Sequence, residues 1–362
     1  MKKIMICLLA CATVLCTGVS AKGKKCEAQK AKHVVLIGAD GFASAVVREH
    51  PGAFPNLERL MREGSYTLER RSVLPSSSAL NWASMMMGAS PEIHGYTTWN
   101  SRTPELPSRV IGKYGIFPGI CGLIRDSYPE AEIDCGFTWE GIGYIYEQKA
   151  ADVNYHASSD RALADSMCIY IERNKPLFTF IAFDNPDMTG HDKGWESDEY
   201  FAMSKTIDGY VGQILDAIDR AGMTDETIVI FTSDHGGTGR GHGGITMKEM
   251  ESPFIVCGKG IKRGNEVDDS VMVYDCASTI AHIFSLQQPQ DRPARYGGFR
   301  IIGLPCDSLS LWRRCGSASP LFGISRAASR RFTRYIFRFT GTMCGRTGKR
   351  AFFAHGKLWS KL

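Results

Sequence analysis

Apolar runs recur along the chain and several end abruptly in an acidic residue. His33-Val34-Val35-Leu36-Ile37-Gly38 has no polar alternation, as expected of a strand buried on both faces of a parallel sheet, and it stops at Asp40-Gly41. Leu177 to Phe183 stops at Asp184 and leads into Asn185-Pro186-Asp187, and Thr227 to Phe231 stops at Ser233-Asp234-His235-Gly236. Pro253 to Val256 reads as a fourth strand. Between these runs the period changes. Residues 54–63 show helical spacing with Pro55 near the start and Gly64 just past the end. Residues 200–221 place Ile207, Val211, Ile214, Leu215 and Ile218 on one face of a long amphipathic helix. Trp82 to Met87 is helical and stops at Gly88. No internal repeat is visible.

Strands alternating with helices predict an α/β fold with a central, mostly parallel sheet flanked by helices. In such sheets sites form beyond the carboxyl ends of the strands, so chemistry is expected where Asp40, Asp187 and Asp234 meet. Residues 96–154 are rich in Gly, Pro and aromatic side chains with weak periodicity, and are expected to form a small cap over that edge.

Composition narrows the class. With 43% apolar and 22% charged residues the chain is neither disordered nor polytopic. Residues 1–21 read as a signal peptide: Lys2-Lys3, an apolar stretch to Val19, then Val19-Ser20-Ala21 as the cleavage site. The expected location is periplasmic or secreted. Leu8-Leu9-Ala10-Cys11 offers the alternative of a lipoprotein anchored at Cys11, and a membrane partner is expected only in that case. Of twelve cysteines, Cys7, Cys11 and Cys16 lie in this leader, and the rest form no CxxC pair, which argues against a cysteine-built zinc site.

The net charge of +5 conceals an asymmetry: residues 292–362 hold fifteen of the 43 Lys and Arg but one acidic residue, Asp307. The folded domain is therefore assigned to 22–290. Residues 291–362 form a basic tail that reads equally as an anion-binding arm or as non-native or disordered sequence, and no nucleic-acid partner is inferred from it.

The polar residues at the strand ends carry the chemistry. Asp40, Asp187, His191, Asp234, His235 and His242 are six oxygen and nitrogen donors, too many for one tetrahedral ion and suited to two. Carboxylate with imidazole fits two zinc ions, with manganese as the alternative. Paired ions suit in-line phosphoryl displacement. Singly, each residue would read as a turn former or a satisfied core histidine; their clustering at successive strand ends reverses that. Pro75-Ser76-Ser77-Ser78-Ala79-Leu80-Asn81 precedes a helix, where backbone N–H groups receive phosphoryl oxygens, although a serine loop there is by itself an ordinary N-cap.

These segments together resemble the type I phosphodiesterase/nucleotide pyrophosphatase branch of the alkaline phosphatase superfamily. The matching stretches are Ile37 to Gly41, Ser78 to Gly95, Asp187-Met188-Thr189-Gly190-His191 and Ser233 to Gly236. The resemblance implies an alkaline phosphatase-like fold and a phosphoserine mechanism, with Ser78 as nucleophile by its spacing to Asn81 and His94-Gly95. It implies Asp40, Asp234, His235 and the Ser78 oxygen on one zinc, and Asp187, His191 and a third imidazole on the other. His242 is chosen for that third place, and His94 is expected to shape a turn rather than ligate. Asn100 fits the family's phosphoryl-binding asparagine, with the Ala79 amide as a second donor and Asn81 beside the substrate. The Ala79-Leu80 pair departs from the family's apolar-Pro.

The implied substrate is a small-molecule phosphate diester, nucleotide-like. The alternatives are a phosphomonoesterase, with Arg240 or Lys193 meeting the extra charge, or a non-catalytic metal-dependent binding protein. Tyr96, Trp99, Trp139 and Tyr144 are candidates to stack on the leaving group.

Overall fold

The computed structural model describes residues 31–287; the leader with Cys11 and the basic tail lie outside the described residues. Eight strands form one sheet: β1 (His33–Ala39), β2 (Gly64–Arg71), β3 (Ile133–Phe137), β4 (Val153–His156), β5 (Phe178–Phe183), β6 (Thr227–Thr232), β7 (Glu251–Gly258) and β8 (Asn265–Glu266). Their order is β4-β3-β5-β1-β6-β7-β2-β8, and β7 runs against both its neighbours while the other described pairings are parallel. The helices are α1 (Ser44–Glu49), α2 (Pro55–Glu63), α3 (Ser78–Met87), α4 (Pro91–His94), α5 (Ile120–Ser127), α6 (Asp160–Asn174), α7 (Asp187–Lys193), α8 (Asp198–Arg220), α9 (Met247–Met250) and α10 (Asp275–Ile283).

Alternation along β1 explains why its sequence is apolar throughout. Val34 and Leu36 join a core with α3, α5 and α10, whereas Val35 and Ile37 join a second core with α2, α6 and α8 on the opposite face. A central strand covered on both faces has no position for a polar residue until it leaves the sheet. Asp40 is the first such position.

The expected cap over 96–154 needs correction. Its second half supplies β3 and β4, which extend the sheet beyond β5, and α5 packs on one face. These strands hid because they are short and impure. β3 is fully buried although Asp134 and Gly136 interrupt its apolar residues, and β4 is an edge strand of alternating exposure. Among the described residues, no helix is long and apolar enough to cross a membrane.

Candidate active site

Three connections at the carboxyl edge of β1, β5 and β6 bring the predicted donors together. Asp40 follows β1, and its amide donates to the Phe183 carbonyl at the end of β5 (2.9 Å). Asp187 opens α7 just beyond β5, with its own amide donating to the Asp40 carbonyl (3.1 Å). Asp234 follows β6, and its Oδ1 accepts from the Gly41 amide (3.1 Å). The turn at Gly41 requires glycine: φ is +64°, and a Cβ there would lie 2.7 Å from Asp187 Oδ1. Its carbonyl also accepts from the Tyr200 hydroxyl (2.8 Å) and Trp195 Nε1 (3.0 Å), which fixes the turn against α8.

Two donor groups result. Asp40, Asp234 and His235 form one, and Asp187, His191 and His242 form the other; within each group the donor atoms lie within 4.8 Å of one another. His242 sits in the second group, with its ring stacked on that of His235 at 3.9 Å. Each imidazole is oriented by a backbone carbonyl: His235 Nδ1 donates to Gly236 O (2.8 Å), His242 Nδ1 to Ser76 O (2.9 Å) and His191 Nδ1 to Arg240 O (3.0 Å). A carbonyl can only accept, so each Nδ1 carries a proton, and the neutral rings of His235 and His242 present a bare Nε2 to the centre, whereas His191 Nε2 lies 3.3 Å from Asp187 Oδ2.

The electrostatics of this arrangement call for cations. His191 and His242 bring their Nε2 atoms to 3.1 Å, a lone-pair approach that is repulsive unless a proton or metal ion is shared. Asp234 Oδ2 faces His235 Nε2 at 3.2 Å, and neither it nor Asp187 Oδ1 has a hydrogen-bond partner although both are buried. Burial first, then the charges of Asp234, Asp187 and Asp184, raise the pKa of Asp40 well above the carboxylate range, against a hydrogen bond from Trp82. Burial and then Asp187 do the same to Asp234. Burial also lowers His235 to about 3 and His242 to about 4, whereas the hydrogen bond to Asp187 raises His191. Buried carboxylates of like charge beside neutral imidazoles fit divalent ions, and a donor set without thiolate suits zinc or manganese.

Ser78 stands at this centre. It is the first residue of α3 and 7% exposed, and its hydroxyl donates to His235 Nε2 (3.1 Å) and lies 3.4 Å from Asp40 Oδ1. Ser76 and Ser77 are turned elsewhere in role: Ser76 Oγ donates to the Gly244 carbonyl (2.8 Å), and Ser77 is the N-cap.

Two of the expected substrate contacts are already occupied. The Ala79 amide donates to the Trp99 carbonyl (3.0 Å), so it is not a vacant phosphoryl donor. Asn81 is fully buried; its Oδ1 accepts from Val73 N (2.7 Å), and its Nδ2 reaches the carbonyls of Ser77 (2.8 Å), Pro75 (3.2 Å) and Val73 (3.3 Å). It clamps the loop that presents Ser78. Asn100 is exposed, next to the Trp99 that holds the Ala79 amide. His94 is buried in the α4 turn, where its Nδ1 accepts from Tyr96 N (3.1 Å) and its Nε2 meets Ser84 Oγ (2.9 Å). Of the aromatic candidates, Tyr96 is buried and Trp99 is 61% exposed.

Sequence reasoning missed Trp82, whose Nε1–H donates to Asp40 Oδ2 (2.9 Å). The ring reaches Asp40 by crossing Gly38, where a Cβ would stand 2.4 Å from it. A glycine inside an otherwise branched apolar strand was the available signal.

The sequence profile of the type I phosphodiesterase/nucleotide pyrophosphatase family matches residues 34–112 and 127–250, together more than half of the chain. Human ectonucleotide pyrophosphatase/phosphodiesterase family member 1 is 24% identical over 230 residues, which cover 56% of this chain and 23% of that protein. A bis(5'-adenosyl)-triphosphatase of Xenopus laevis is 24% identical over 243 residues, covering 64% of this chain and 52% of its own. The chain thus spans about a quarter to a half of these relatives.

In structure it is similar to murine ectonucleotide pyrophosphatase/phosphodiesterase 5 in complex with AMP, with TM-score 0.60, 14% identity, and coverage of 71% of this chain and 96% of that one. It is also similar to a 2-O GAG sulfatase, with TM-score 0.58, 14% identity, and 73% of each chain covered. These two likenesses are of fold, the alkaline phosphatase-like arrangement. With the family profile spanning the segments that carry Asp40, Ser78, Asp187, His191, Asp234, His235 and His242, the chain belongs to the type I phosphodiesterase/nucleotide pyrophosphatase family.

Proposed function

We propose that this protein is an exported, metal-dependent hydrolase of small-molecule phosphate diesters in which Ser78 is the nucleophile. The carrying observation is that Ser78 Oγ lies 3.1 Å from His235 Nε2, beside two groups of buried carboxylates and bare imidazole nitrogens. Asp40, Asp234 and His235 would hold one divalent ion, and Asp187, His191 and His242 the other. When bound, such ions supply positive charge that acidifies a hydroxyl and offsets charge gathering on a phosphoryl group.

The chain's own residues do the rest. Asn81 fixes the loop before α3 so that Ser78 Oγ is presented to phosphorus, and the carbonyls of Gly236, Arg240 and Ser76 hold the three rings in register. Ser78 Oγ bonds to phosphorus as the ester oxygen departs; water then cleaves the phosphoserine and restores the hydroxyl. Asn100, exposed at the rim, is proposed to donate to a phosphoryl oxygen.

The family match supports a diester; of the two cations that could meet a monoester's extra charge, Lys193 pairs with Asp192 (3.0 Å), while Arg240 makes no ion pair among the described residues. The relatives named for nucleotide ligands support a nucleotide-like ester, and the leader at 1–21 supports export. Ser78→Ala tests the mechanism. It should abolish hydrolysis of bis-p-nitrophenyl phosphate while about two metal ions per chain remain bound by elemental analysis. Undiminished turnover in that variant refutes the covalent route, and a strong preference for p-nitrophenyl phosphate refutes the diester reading.

A further inference from the structure

Helix α3 supplies more than the nucleophile. Ser78 and Trp82 stand four residues apart on it, so they share one face, and a helical side chain leans back over the turn before it, here toward Ser78. Both meet the same carboxylate. Asp40 Oδ1 lies 3.4 Å from Ser78 Oγ and 3.4 Å from His235 Nε2, so this oxygen faces the centre. Asp40 Oδ2 accepts instead from the Trp82 Nε1–H (2.9 Å). The two oxygens of one buried side chain therefore have different partners and different tasks.

Packing alone does not account for this indole. Trp82 is fully buried beside Phe180 of β5, with ring centroids 6.0 Å apart. It crosses β1 at Gly38, where a Cβ would stand 2.4 Å from the ring, so a central strand goes without a side chain to let it through. A buried indole needs one acceptor, and any backbone carbonyl would serve. Here the acceptor belongs to the donor group of Asp40, Asp234 and His235. A hydrogen bond onto an ionised oxygen is stronger than one between neutral groups, and it fixes how the carboxylate is turned.

We propose that Trp82 is a positioning residue of the metal centre: by holding Asp40 Oδ2 it turns Oδ1 alone toward the ion and toward Ser78. The indole and the nucleophile ride on one helix, so any shift of α3 carries the Asp40 carboxylate and Ser78 Oγ together. This rests on the metal-ion reading above and adds a residue to it.

The test is zinc affinity, measured by competition with a chelating dye, in the full chain and in Trp82→Phe, which keeps an aromatic ring and loses the N–H. Losing an outer hydrogen bond to a metal ligand costs about 10–100-fold in affinity, and the variant should weaken one ion by that factor and the other less. Phe180→Leu is the packing control: trimming this buried ring should lower the Tm of the metal-free protein and leave zinc affinity within about twofold. Should Trp82→Phe not fold, Gly38→Ala, whose Cβ pushes the ring away from Asp40, should show the same weakening. Unchanged zinc affinity in Trp82→Phe or in Gly38→Ala overturns the proposal, and so does an equal loss of affinity in Phe180→Leu. A wild type that takes up no zinc overturns the metal reading itself.

Discussion

Replacing Asn81 with alanine separates two roles that the sequence alone does not. As a substrate contact, Asn81 would leave stability untouched and affect binding. As the loop clamp, its loss removes the acceptor of the Val73 amide and the donor to three loop carbonyls, all at a fully buried position. An orphaned buried N–H costs about 1–3 kcal/mol and each lost hydrogen bond about 1 kcal/mol, so with partial rehydration of the carbonyls the variant should lose about 3 kcal/mol. For a domain of this size that is about 6–12 °C in Tm. The measurement is thermal unfolding of the metal-loaded protein, paired with kcat and KM for bis-p-nitrophenyl phosphate. The expected result is a clear fall in Tm with KM within about twofold, kcat falling because Ser78 is less firmly held. An unchanged Tm with a large rise in KM would refute the clamp and restore Asn81 to the substrate.

Two other substitutions have definite expected outcomes. Burial lowers His94 to about 3, so its native-state stability is complete above the unfolded pKa near 6.5 and is lost as pH falls from there toward 3; in urea titrations His94→Gln should shrink the loss between pH 7 and 4.5. Because a Cβ at Gly41 would stand 2.7 Å from Asp187 Oδ1 at a φ of +64°, Gly41→Ala should displace that carboxylate and bring bound metal below one ion per chain, read by elemental analysis.

Much of the framework was legible because central strands and long helices leave strong patterns. β1, β5, β6, α2 and α8 appear in the sequence at nearly their observed limits, since burial on both faces permits only apolar residues and α8 has one apolar stripe. β3 escaped notice because Asp134 and Gly136 are buried within it, tolerated by tertiary surroundings that no local window contains. β2 was hidden likewise by Arg70, fully buried with Nη2 donating to Ser252 Oγ (2.5 Å). Within the site, the donors were legible from their strand-end positions. The roles of Ala79 and Asn81 were not, because a shared spacing tells where a residue lies and not which hydrogen bonds it already makes.

The link between Asp40 and Asp187 has a consequence for how such a site can change. The Asp187 amide is held by the Asp40 carbonyl, the Gly41 amide by the Asp234 carboxylate, and the rings of His235 and His242 lie face to face. Each donor group therefore uses the other as part of its mould. Substitutions that erode one donor group will deform its neighbour, so loss of one group alone is not a short mutational step away. Variation is freer at exposed positions such as Ile245, 74% exposed, which take no part in that mould.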